Sequence, residues 1–409
     1  MNWISTEREY FFSNLLNIFL VIYAILLPFS NAFTTFSAPC ILLILWIAEG
    51  NLSEKFKKIL SQKPAIFLLF FLIFNILSLL WTTNIQEGIH TLKYYIAFTV
   101  IFITITTSLK NTYSKIIIYA FLLSMFVSEI LLYGVMLDLW KIGQATPSNP
   151  SPIMHHVLYS IFIAVTIFFL IWQIKCKNTK MSYKILEILF LISTTSNLFI
   201  NSGRTGQIAV VIGIFVFAIS YYGIRWKKIT SIFLFLFFMI MIAYNLSPNF
   251  KNRILMAKSD IHKISKGDLN NSWGLRIAMK ILGYKIVMDH PLVGVGIGDV
   301  LDVKNAYLSH SDMKKYLFLK NIIHFHDQYL QILLQTGLIG LFLFLTFIYS
   351  IFHESYKDQL SKSILFSVMS VYIFSFFADV PLRNYVSGLF GFSIAILYIY
   401  AKGYQKETA

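Results

Sequence analysis

Long apolar stretches, separated by short polar connections, run along almost the whole chain. A helix needs roughly 20 mainly apolar residues to cross the hydrocarbon core of a bilayer. About a dozen apolar stretches of the chain approach that length and are predicted to be spans. They lie near 11–29, 32–48, 65–81, 94–109, 116–137, 153–174, 185–200, 207–224, 231–245, 329–352, 363–379 and 386–401. The pattern predicts an all-α polytopic membrane protein with about 12 transmembrane helices.

One long polar segment interrupts this pattern between the ninth and tenth predicted spans. It divides the chain into nine spans in residues 1–245, a large loop at 246–328, and three spans with a tail in 329–409. The loop contains apolar residues at helical spacing, so we expect short helices within it. We find no internal repeat that relates the two sets of spans.

The composition and charge agree with a membrane protein. Of 409 residues, 57% are hydrophobic and 13% are charged. If the N-terminus is cytoplasmic, the inner connections hold 18 Lys and Arg residues, and the short outer loops hold 4. Cytoplasmic loops retain these residues, so both termini are predicted to be cytoplasmic and the 246–328 loop periplasmic. The net charge of +15 is therefore a topology signal rather than a sign of nucleic-acid binding.

The cysteines and the N-terminus exclude two further classes of protein. Cys40 and Cys176 are too far apart in the predicted topology to pair, and no CxxC metal motif occurs. The first apolar stretch lacks a strongly basic lead and a clear small-residue cleavage site, so we expect it to remain as a span.

Polar groups that a span does not require collect at four junctions on the predicted outer side. The four sequences are NSGRTG (201–206), WGLRIAMK (273–280), HFHDQ (324–328) and ADVPLRN (378–384). Polar and ionisable side chains near lipid are costly, so they usually have a function or a partner. Glu129, inside the fifth span, likewise either has a buried partner or is neutral.

Two of these junctions supply candidate anion ligands. Arg204 is either a cation that snorkels to the interface or a guanidinium fork that matches phosphate oxygens bidentately. The stretch from Asn271 or Ser272 to the residue before Pro291 reads as an amphipathic helix, on which Arg276 and Lys280 share a face. That face is either solvated or in contact with an anionic head group. The glycines of the following GVGIGD indicate a tight turn.

The other two junctions supply candidate acid–base groups. His326 and Asp327 are candidates for the N-cap of the next span, where the helix dipole disfavours an imidazolium. A neutral histidine there can accept a proton. His324, His326 and Asp327 are possible cation ligands, but a third well-placed ligand is not evident, so we predict no metal. Asp379 and Arg383, at the last outer junction, either pair with each other or serve a substrate.

These parts suit a particular kind of chemistry. No ATP is present outside the inner membrane, so group transfer there requires a donor that is already activated, such as a sugar on polyprenyl diphosphate. Arginines can neutralise the departing diphosphate, and a neutral histidine can remove the proton of an acceptor hydroxyl. Such a glycosyl transfer needs neither a metal nor a cofactor.

The motifs also resemble a known family. The succession NSGRTGQ, WGLRIAMKILGYKIVMDHPLVGVGIG and HFHDQYLQILLQTGLIGL is similar to the O-antigen ligase and polymerase superfamily. FADVPLRN resembles the Ser-Asp-Val or Ala-Asp-Val segment that some ligases show near their last spans. The resemblance covers residues 200–390 by motif and the whole chain by topology.

This resemblance implies an O-antigen ligase in the bacterial inner membrane, with its active site facing the periplasm. Its partners would be an undecaprenyl diphosphate-linked glycan donor, a sugar hydroxyl of lipid A-core as acceptor, and membrane lipids, without nucleic acid. By matching motif positions, His326 would be the base of an inverting transfer, and Arg204 and Arg276 would hold the diphosphate. The expected substrate-binding residues are Arg204, Arg276, Lys280, His324, Asp327, Asp379 and Arg383. Related proteins often have Asn where this chain has Asp327, and a carboxylate there would raise the basicity of the histidine.

Three alternatives remain open from the sequence. An O-antigen polymerase or a protein O-oligosaccharyltransferase of the same superfamily shares these motifs. A polysaccharide transporter or flippase belongs to a different class. Transporters tend to show repeated halves and charges at the midplane of the membrane, whereas this chain concentrates its polar groups on one side.

Overall fold

The computed structural model of the chain is built from helices. It describes residues 2–176, 181–201, 203–225 and 248–403, together with scattered positions between 227 and 245. In chain order the described α-helices are α1 (Asn2–Leu26), α2 (Ala38–Ala48), α3 (Leu52–Leu60), α4 (Lys63–Leu77), α5 (Ile85–Ser108), α6 (Asn111–Met136), α7 (His156–Lys175), α8 (Met181–Ile200), α9 (Arg204–Tyr222), α10 (Pro248–Ser265), α11 (Ser272–Asp289), α12 (Val300–Ser309), α13 (Gln328–Phe352), α14 (Gln359–Ala378) and α15 (Val386–Ala401). Short 3₁₀ turns occupy Ser78–Trp81, Ser311–Leu319 and Pro381–Arg383, and a π turn at Phe33–Ser37 precedes α2.

The prediction of an all-α polytopic membrane protein is confirmed. Within the described residues, nine helices are long and apolar enough to cross a membrane. Phe33–Ala48 and Leu52–Leu60, bent by 116°, form a possible tenth span, and Val386–Ala401 is a shorter apolar helix. These helices account for eleven of the predicted stretches. The stretch near 231–245 lies largely outside the described residues.

The centre of the bundle consists of α5, α7, α14 and α15, whose side chains are mostly buried. Large aromatic rings fill it; Phe98 of α5, for example, meets Phe390 of α15 edge to face, with ring centroids 5.5 Å apart. The hydroxyls of buried serines in α14 donate hydrogen bonds to backbone carbonyls of their own helix. Ser367 Oγ, for example, donates to Ser363 O. Small side chains of this kind let membrane helices approach closely, which is how α9 packs on α14.

Helix α13 is broken within its length, which the sequence did not predict. Gly337 has φ 64° and ψ −163°, far outside the helical region. The GVGIG turn lies against this break. A Cβ at Gly294 would lie 2.5 Å from Leu334 O, and one at Gly337 would lie 2.2 Å from Leu292 O. The two backbones approach so closely that only glycine fits at either position.

The contact between the turn and the break satisfies backbone groups that the break leaves without helical partners. Val295 N donates to Leu334 O at 2.8 Å, and Gly296 N donates to Gln335 O at 3.1 Å. On the other side of the break, Leu338 N donates to Pro291 O at 2.8 Å. Irregular backbone within a membrane protein is tolerated only where protein or water satisfies it. The GVGIG segment is therefore more than the tight turn expected from its glycines: it completes the hydrogen bonding of a broken helix.

The same segment is tied to the start of α5. Asp299, which ends the GVGIGD motif, is buried and accepts from Asn84 N at 2.7 Å and from Thr83 N at 2.8 Å. A carboxylate that accepts several backbone N–H groups makes strong, charge-assisted bonds. The segment 291–299 consequently connects the broken helix α13 to the end of the bundle where α5 begins.

Gly337→Ala should strongly destabilise the protein, because the new Cβ meets Leu292 O and the residue must also hold a positive φ. We expect a loss of roughly 3 kcal/mol or more, seen as a lower melting temperature in detergent.

Gly267→Ala is the matched control, since Gly267 has φ 83° but nothing within 4 Å of an added Cβ. It should show the cost of positive φ alone, about 1 kcal/mol. Equal shifts in the two variants would mean that the close contact at the break contributes nothing.

Candidate active site

The candidate site lies where the chain enters α13 and leaves α14. His326 Nδ1 lies 3.2 Å from Asp379 Oδ1, and His324 Nδ1 lies 3.7 Å from the same oxygen. The two imidazole rings meet edge to face, with centroids 4.2 Å apart. The structure thus brings together the HFHDQ and ADVPLRN motifs, which are separated by a complete helical hairpin in the sequence.

Burial and mutual contact set the charges of these groups. Burial lowers the pKa of His324 to about 4, although the Asp379 carboxylate opposes the shift. Burial acts to raise the pKa of Asp379, but the hydrogen bond to His326 and the charges of both histidines outweigh it and hold that pKa at about 2. Asp379 is therefore ionised at neutral pH, and His324 is neutral.

The contact with Asp379 determines which nitrogen of His326 is available. A carboxylate facing Nδ1 favours the tautomer in which Nδ1–H donates to it. The lone pair of a neutral imidazole is then on Nε2, which can accept a proton. The His326 side chain is 23% exposed, so a substrate can reach it. Carboxylate, imidazole and an open nitrogen form the usual arrangement of a general base.

His324, His326 and Asp379 also lie close enough to be considered as metal ligands. One ligand atom from each falls within 4.8 Å of the others. The sequence did not identify Asp379 as the third member of this group. However, His324 Nδ1 already accepts from the backbone N of His326 at 3.3 Å, which occupies the lone pair that faces Asp379. This contact favours the carboxylate–histidine pair over a metal site.

Arg276 lies next to this pair. Asn271 caps helix α11, its side chain accepting from Gly274 N at 2.9 Å, which confirms the predicted helix start. From the second turn of α11, Arg276 Nε donates to Ala378 O at 3.3 Å. Because Ala378 immediately precedes Asp379, this bond holds the guanidinium beside the carboxylate–histidine pair. Arg276 therefore lies near the HFHDQ and ADVPLRN motifs in the structure.

Arg204 begins α9 at the same end of the bundle. Ser220 Oγ and Ser363 Oγ lie 3.0 Å apart, which fixes the antiparallel register of α9 against α14. Arg204 and Asp379 each lie 16 residues from these serines in the direction of the site, about 24 Å along either helix axis. The register therefore places the start of α9 level with Asp379.

Glycines of the NSGRTG motif fix the start of α9 against α7. Gly206 N donates to Ser160 Oγ at 3.1 Å, and a Cβ at Gly206 would lie 2.3 Å from Ser160 O. Gly203 is equally close to the Ser160 side chain. Ser202 of this motif lies outside the described residues. The two glycines around Arg204 therefore determine where the arginine backbone sits.

Lys280 and Asp327, both predicted to bind substrate, contact each other. Lys280 Nζ lies 3.0 Å from Asp327 Oδ2, and Asp327 Oδ1 accepts from Leu330 N at 3.0 Å. Of the two residues predicted as candidates for the N-cap, Asp327 is the one that caps α13. It is buried, with 6% exposure. This ion pair attaches α11 to α13, the helix that begins at the end of the HFHDQ motif. Lys280 remains half exposed.

Of the two alternatives for Asp379 and Arg383, the pairing with each other is wrong. Arg383 donates to Glu87 Oε1 at 2.6 Å and to Ile323 O at 3.1 Å. Asp379 instead faces His326 and accepts a second hydrogen bond from Val380 N at 2.9 Å. Glu87, in the first turn of α5, was not identified from the sequence, since nothing local connects it to residue 383.

Several residues that the sequence did not indicate hold the turn formed by the HFHDQ motif. Lys304 is 1% exposed and donates to Leu319 O at 3.1 Å and to Lys320 O at 3.0 Å, just before the HFHDQ motif. Burial lowers the pKa of this lysine. Two buried glutamines of α13, Gln328 and Gln331, also reach the loops of the site. Glutamines at helical spacing in an apolar span are a sequence signal that could have indicated them.

Glu129, whose buried partner the sequence did not reveal, is 1% exposed within α6. Its Oε2 accepts from Ser193 Oγ of α8 at 2.7 Å. This contact lies between two spans and is separate from the histidine pair.

Comparison with known protein families gives a match to part of the chain. Residues 188–345 match a family model described as O-antigen ligase, and this segment is similar to that family. The matched segment contains Arg204, Arg276 and the HFHDQ motif, whereas Asp379 lies beyond it. No curated protein matches the chain. The family match supports a ligase- or polymerase-type transfer of glycan, and the apolar helices support a multi-pass membrane protein.

Acidification should destabilise the protein partly through His324. Its pKa is about 4 in the folded state, and an unfolded histidine titrates near 6.5. Between these values the unfolded chain binds a proton that the folded chain does not, so stability falls as the pH drops from about 6.5 toward 4.

His324→Gln should therefore lose less melting temperature between pH 7 and pH 5 than the wild type, measured in detergent. His290→Gln, at an exposed histidine after α11, should behave as the wild type. Identical losses in all three proteins would show that His324 is not held neutral by burial.

Proposed function

We propose that the protein is an O-antigen ligase, which transfers glycan from undecaprenyl diphosphate to a sugar hydroxyl of lipid A-core. The observation that carries this proposal is the contact of His326 with Asp379, beside Arg276, at one end of the bundle. The contact brings an imidazole next to a guanidinium, and a proton acceptor and a fixed positive charge are the two groups that this transfer requires.

In the proposed reaction, the acceptor hydroxyl oxygen attacks the anomeric carbon of the donor sugar. The bond between that carbon and the diphosphate oxygen breaks, and the diphosphate leaves with the electron pair. The hydroxyl proton passes to Nε2 of His326, while Asp379 accepts from Nδ1–H and stabilises the imidazolium that forms. A single displacement inverts the anomeric configuration.

Arginines stabilise the departing diphosphate in this proposal. A guanidinium fork matches phosphate oxygens bidentately and remains charged at all relevant pH values. The bond from Arg276 Nε to Ala378 O fixes the plane of that guanidinium beside the reacting groups. Arg204 enters from α9, level with Asp379. Preorganised positive charge of this kind acts where negative charge develops in the transition state.

The remaining predicted site residues position these groups in our proposal. Lys280 and Asp327 join α11 to α13, and Arg383 holds the backbone before His324. His324 accepts from the amide of His326 and thereby shapes the turn. The reaction as proposed uses no metal, nucleotide or other cofactor.

We also propose that the site faces the periplasm of the inner membrane and that both termini are cytoplasmic. The support is the distribution of Lys and Arg, with 18 in the inner connections and 4 in the short outer loops. The site forms at the starts of α5, α9 and α13, which this topology assigns to the outer side. Lipid-linked donor and lipid A-core acceptor meet on that side.

Substitution of the base and the clamp should abolish or reduce transfer by purified protein. With lipid-linked glycan and core lipid in EDTA and without nucleotide, we expect His326→Ala to lose about 10²- to 10⁴-fold in rate. Arg204→Lys keeps the charge but loses the fork, so we expect a loss of about tenfold or more. Product is measured by gel mobility of the core lipid.

His290→Ala and Arg225→Lys are the controls; both residues are exposed, and Arg225 lies after the far end of α9. They should transfer at the wild-type rate. A requirement for a divalent ion or for ATP would contradict the proposed mechanism, and full activity of Arg204→Lys would reduce that residue to an interfacial cation.

Deletion of the gene distinguishes a ligase from the alternatives. We expect core lipid without O-chains, while long glycans accumulate on undecaprenyl diphosphate. Both are read from one gel of lipopolysaccharide and one extraction of lipid-linked glycan.

Each alternative has its own outcome in that experiment. Loss of a polymerase leaves core capped by a single repeat unit. Loss of a protein O-oligosaccharyltransferase leaves the lipopolysaccharide ladder intact but removes sugar from envelope proteins, and loss of a flippase traps lipid-linked units on the cytoplasmic face. Any of these three results would overturn the ligase assignment.

A further inference from the structure

Three buried glutamines lie on one face of α13. Gln328 is fully buried, and Gln331 and Gln335 are each 1% exposed. Their spacing of three and four residues places them one above another on the helix. A buried amide is unfavourable unless its polar atoms are hydrogen-bonded, so each glutamine in an apolar span calls for an explanation.

Each of the three carboxamide oxygens accepts a different hydrogen bond. Gln331 Oε1 accepts from Phe325 N at 3.3 Å, and Gln328 Oε1 accepts from Leu382 N at 3.1 Å. The deeper Gln335 Oε1 accepts from the hydroxyl of Tyr95 in α5 at 2.7 Å. The carboxamides of Gln328 and Gln331 therefore contact the loops that carry Asp379 and His326, whereas the carboxamide of Gln335 contacts α5.

The catalytic turn is a place where such support is required. His326 has φ 50°, in the left-handed region that non-glycine residues rarely occupy. Backbone of this kind costs about 1–3 kcal/mol and persists only where its surroundings over-determine it. Phe325, whose amide Gln331 holds, immediately precedes His326, and its ring is fully buried.

We propose that Gln331 is a positioning residue for the proposed base. By fixing the amide of Phe325, it maintains the left-handed conformation of His326 and thereby keeps Nδ1 of that ring at Asp379. Gln328 holds the other half of the pair through the backbone that follows Asp379. The catalytic meaning of this inference rests on the proposed function, in which His326 takes the proton of the acceptor.

A packing role makes a different prediction from a positioning role. If the glutamines only fill space in α13, Gln331 and Gln335 should be equivalent, because they share a helix face and the same burial. If Gln331 acts through His326, only its replacement should affect the carboxylate–histidine pair. Gln335 is therefore a matched control within the same helix.

The test compares Gln331→Met, Gln331→Glu and Gln335→Met in glycan transfer. Methionine has a similar volume but no carboxamide acceptor, so Gln331→Met should lower kcat about tenfold to a hundredfold with KM little changed. Glutamate retains an acceptor oxygen and should restore most of the rate. Gln335→Met should stay within about twofold of wild type. Equal losses in the two methionine variants would overturn the proposal.

A double substitution tests whether Gln331 acts through the pair. Effects of residues that act as a unit are not additive in free energy. In the background of Asp379→Asn, where the contact with His326 is already impaired, Gln331→Met should cost little further activity. Losses that multiply in full would mean that Gln331 acts independently of the carboxylate–histidine pair.

A measurement without substrate separates this inference from the proposed function. Diethyl pyrocarbonate modifies the unprotonated nitrogen of an imidazole, and mass spectrometry of the purified protein gives the rate at His326. Gln331→Met and Asp379→Asn should both slow that reaction several-fold, and Gln335→Met should not. Unchanged rates in Gln331→Met would overturn the inference. If wild-type protein transfers no glycan but shows this pattern, the ligase proposal fails and the positioning role of Gln331 stands.

Discussion

The burial of one ionised carboxylate, Asp379, constrains the rest of the site. A carboxylate removed from water is strongly unfavourable unless charged or hydrogen-bonding partners replace its hydration. His326 Nδ1 at 3.2 Å and the backbone N–H of Val380 at 2.9 Å supply those partners, and the pKa of Asp379 remains at about 2 despite its burial. Since Asp379 follows α14 and the histidines precede α13, the same contact that fixes the charge also fixes the ends of these two helices relative to each other.

Side chains that bond to backbone, rather than to one another, frame this contact. Arg276 binds the carbonyl before Asp379, and Arg383 binds the carbonyl before His324. Gln331 accepts from the amide of Phe325, which lies between the two histidines. Lys304 donates to backbone carbonyls, including that of Leu319, just before the HFHDQ motif. Backbone groups move less than side chains, so bonds of this type restrict where the reacting atoms can go. A base that must lie within hydrogen-bond distance of an acceptor hydroxyl needs such restriction.

A feature of the fold or of the candidate site could be predicted from the sequence only where the residues that form it are close together in the chain. The spans follow from apolar length, because a bilayer imposes that length on every helix that crosses it. The caps at Asn271 and Asp327 also follow, since a cap and its helix are adjacent in sequence. The partnership of Asp379 with His326 does not, and the pairing with Arg383 suggested by sequence proximity proved wrong. Glu87 and the break at Gly337 act through residues far along the chain, for which hydropathy and spacing carry no signal. Gln331 contacts Phe325, only six residues away, and its place among helically spaced glutamines in an apolar span was a signal that could have indicated it.

The break in α13 joins these long-range contacts into one connected set, which begins in α13 and ends in the loop that leads into it. Opened at Gly337, the helix exposes carbonyls and amides that the 291–296 backbone satisfies. That segment ends at Asp299, which binds the backbone of Thr83 and Asn84 at the start of α5. One turn later Glu87 binds Arg383, which returns to the carbonyl of Ile323 beside the histidines. Displacement of any member therefore strains the others. In the proposed transfer, electrostatic stabilisation of the departing diphosphate is effective only if the charges are already in place when the bond breaks. The connected contacts include both α13, which follows His326, and the loop that carries Asp379, and they provide that fixed arrangement.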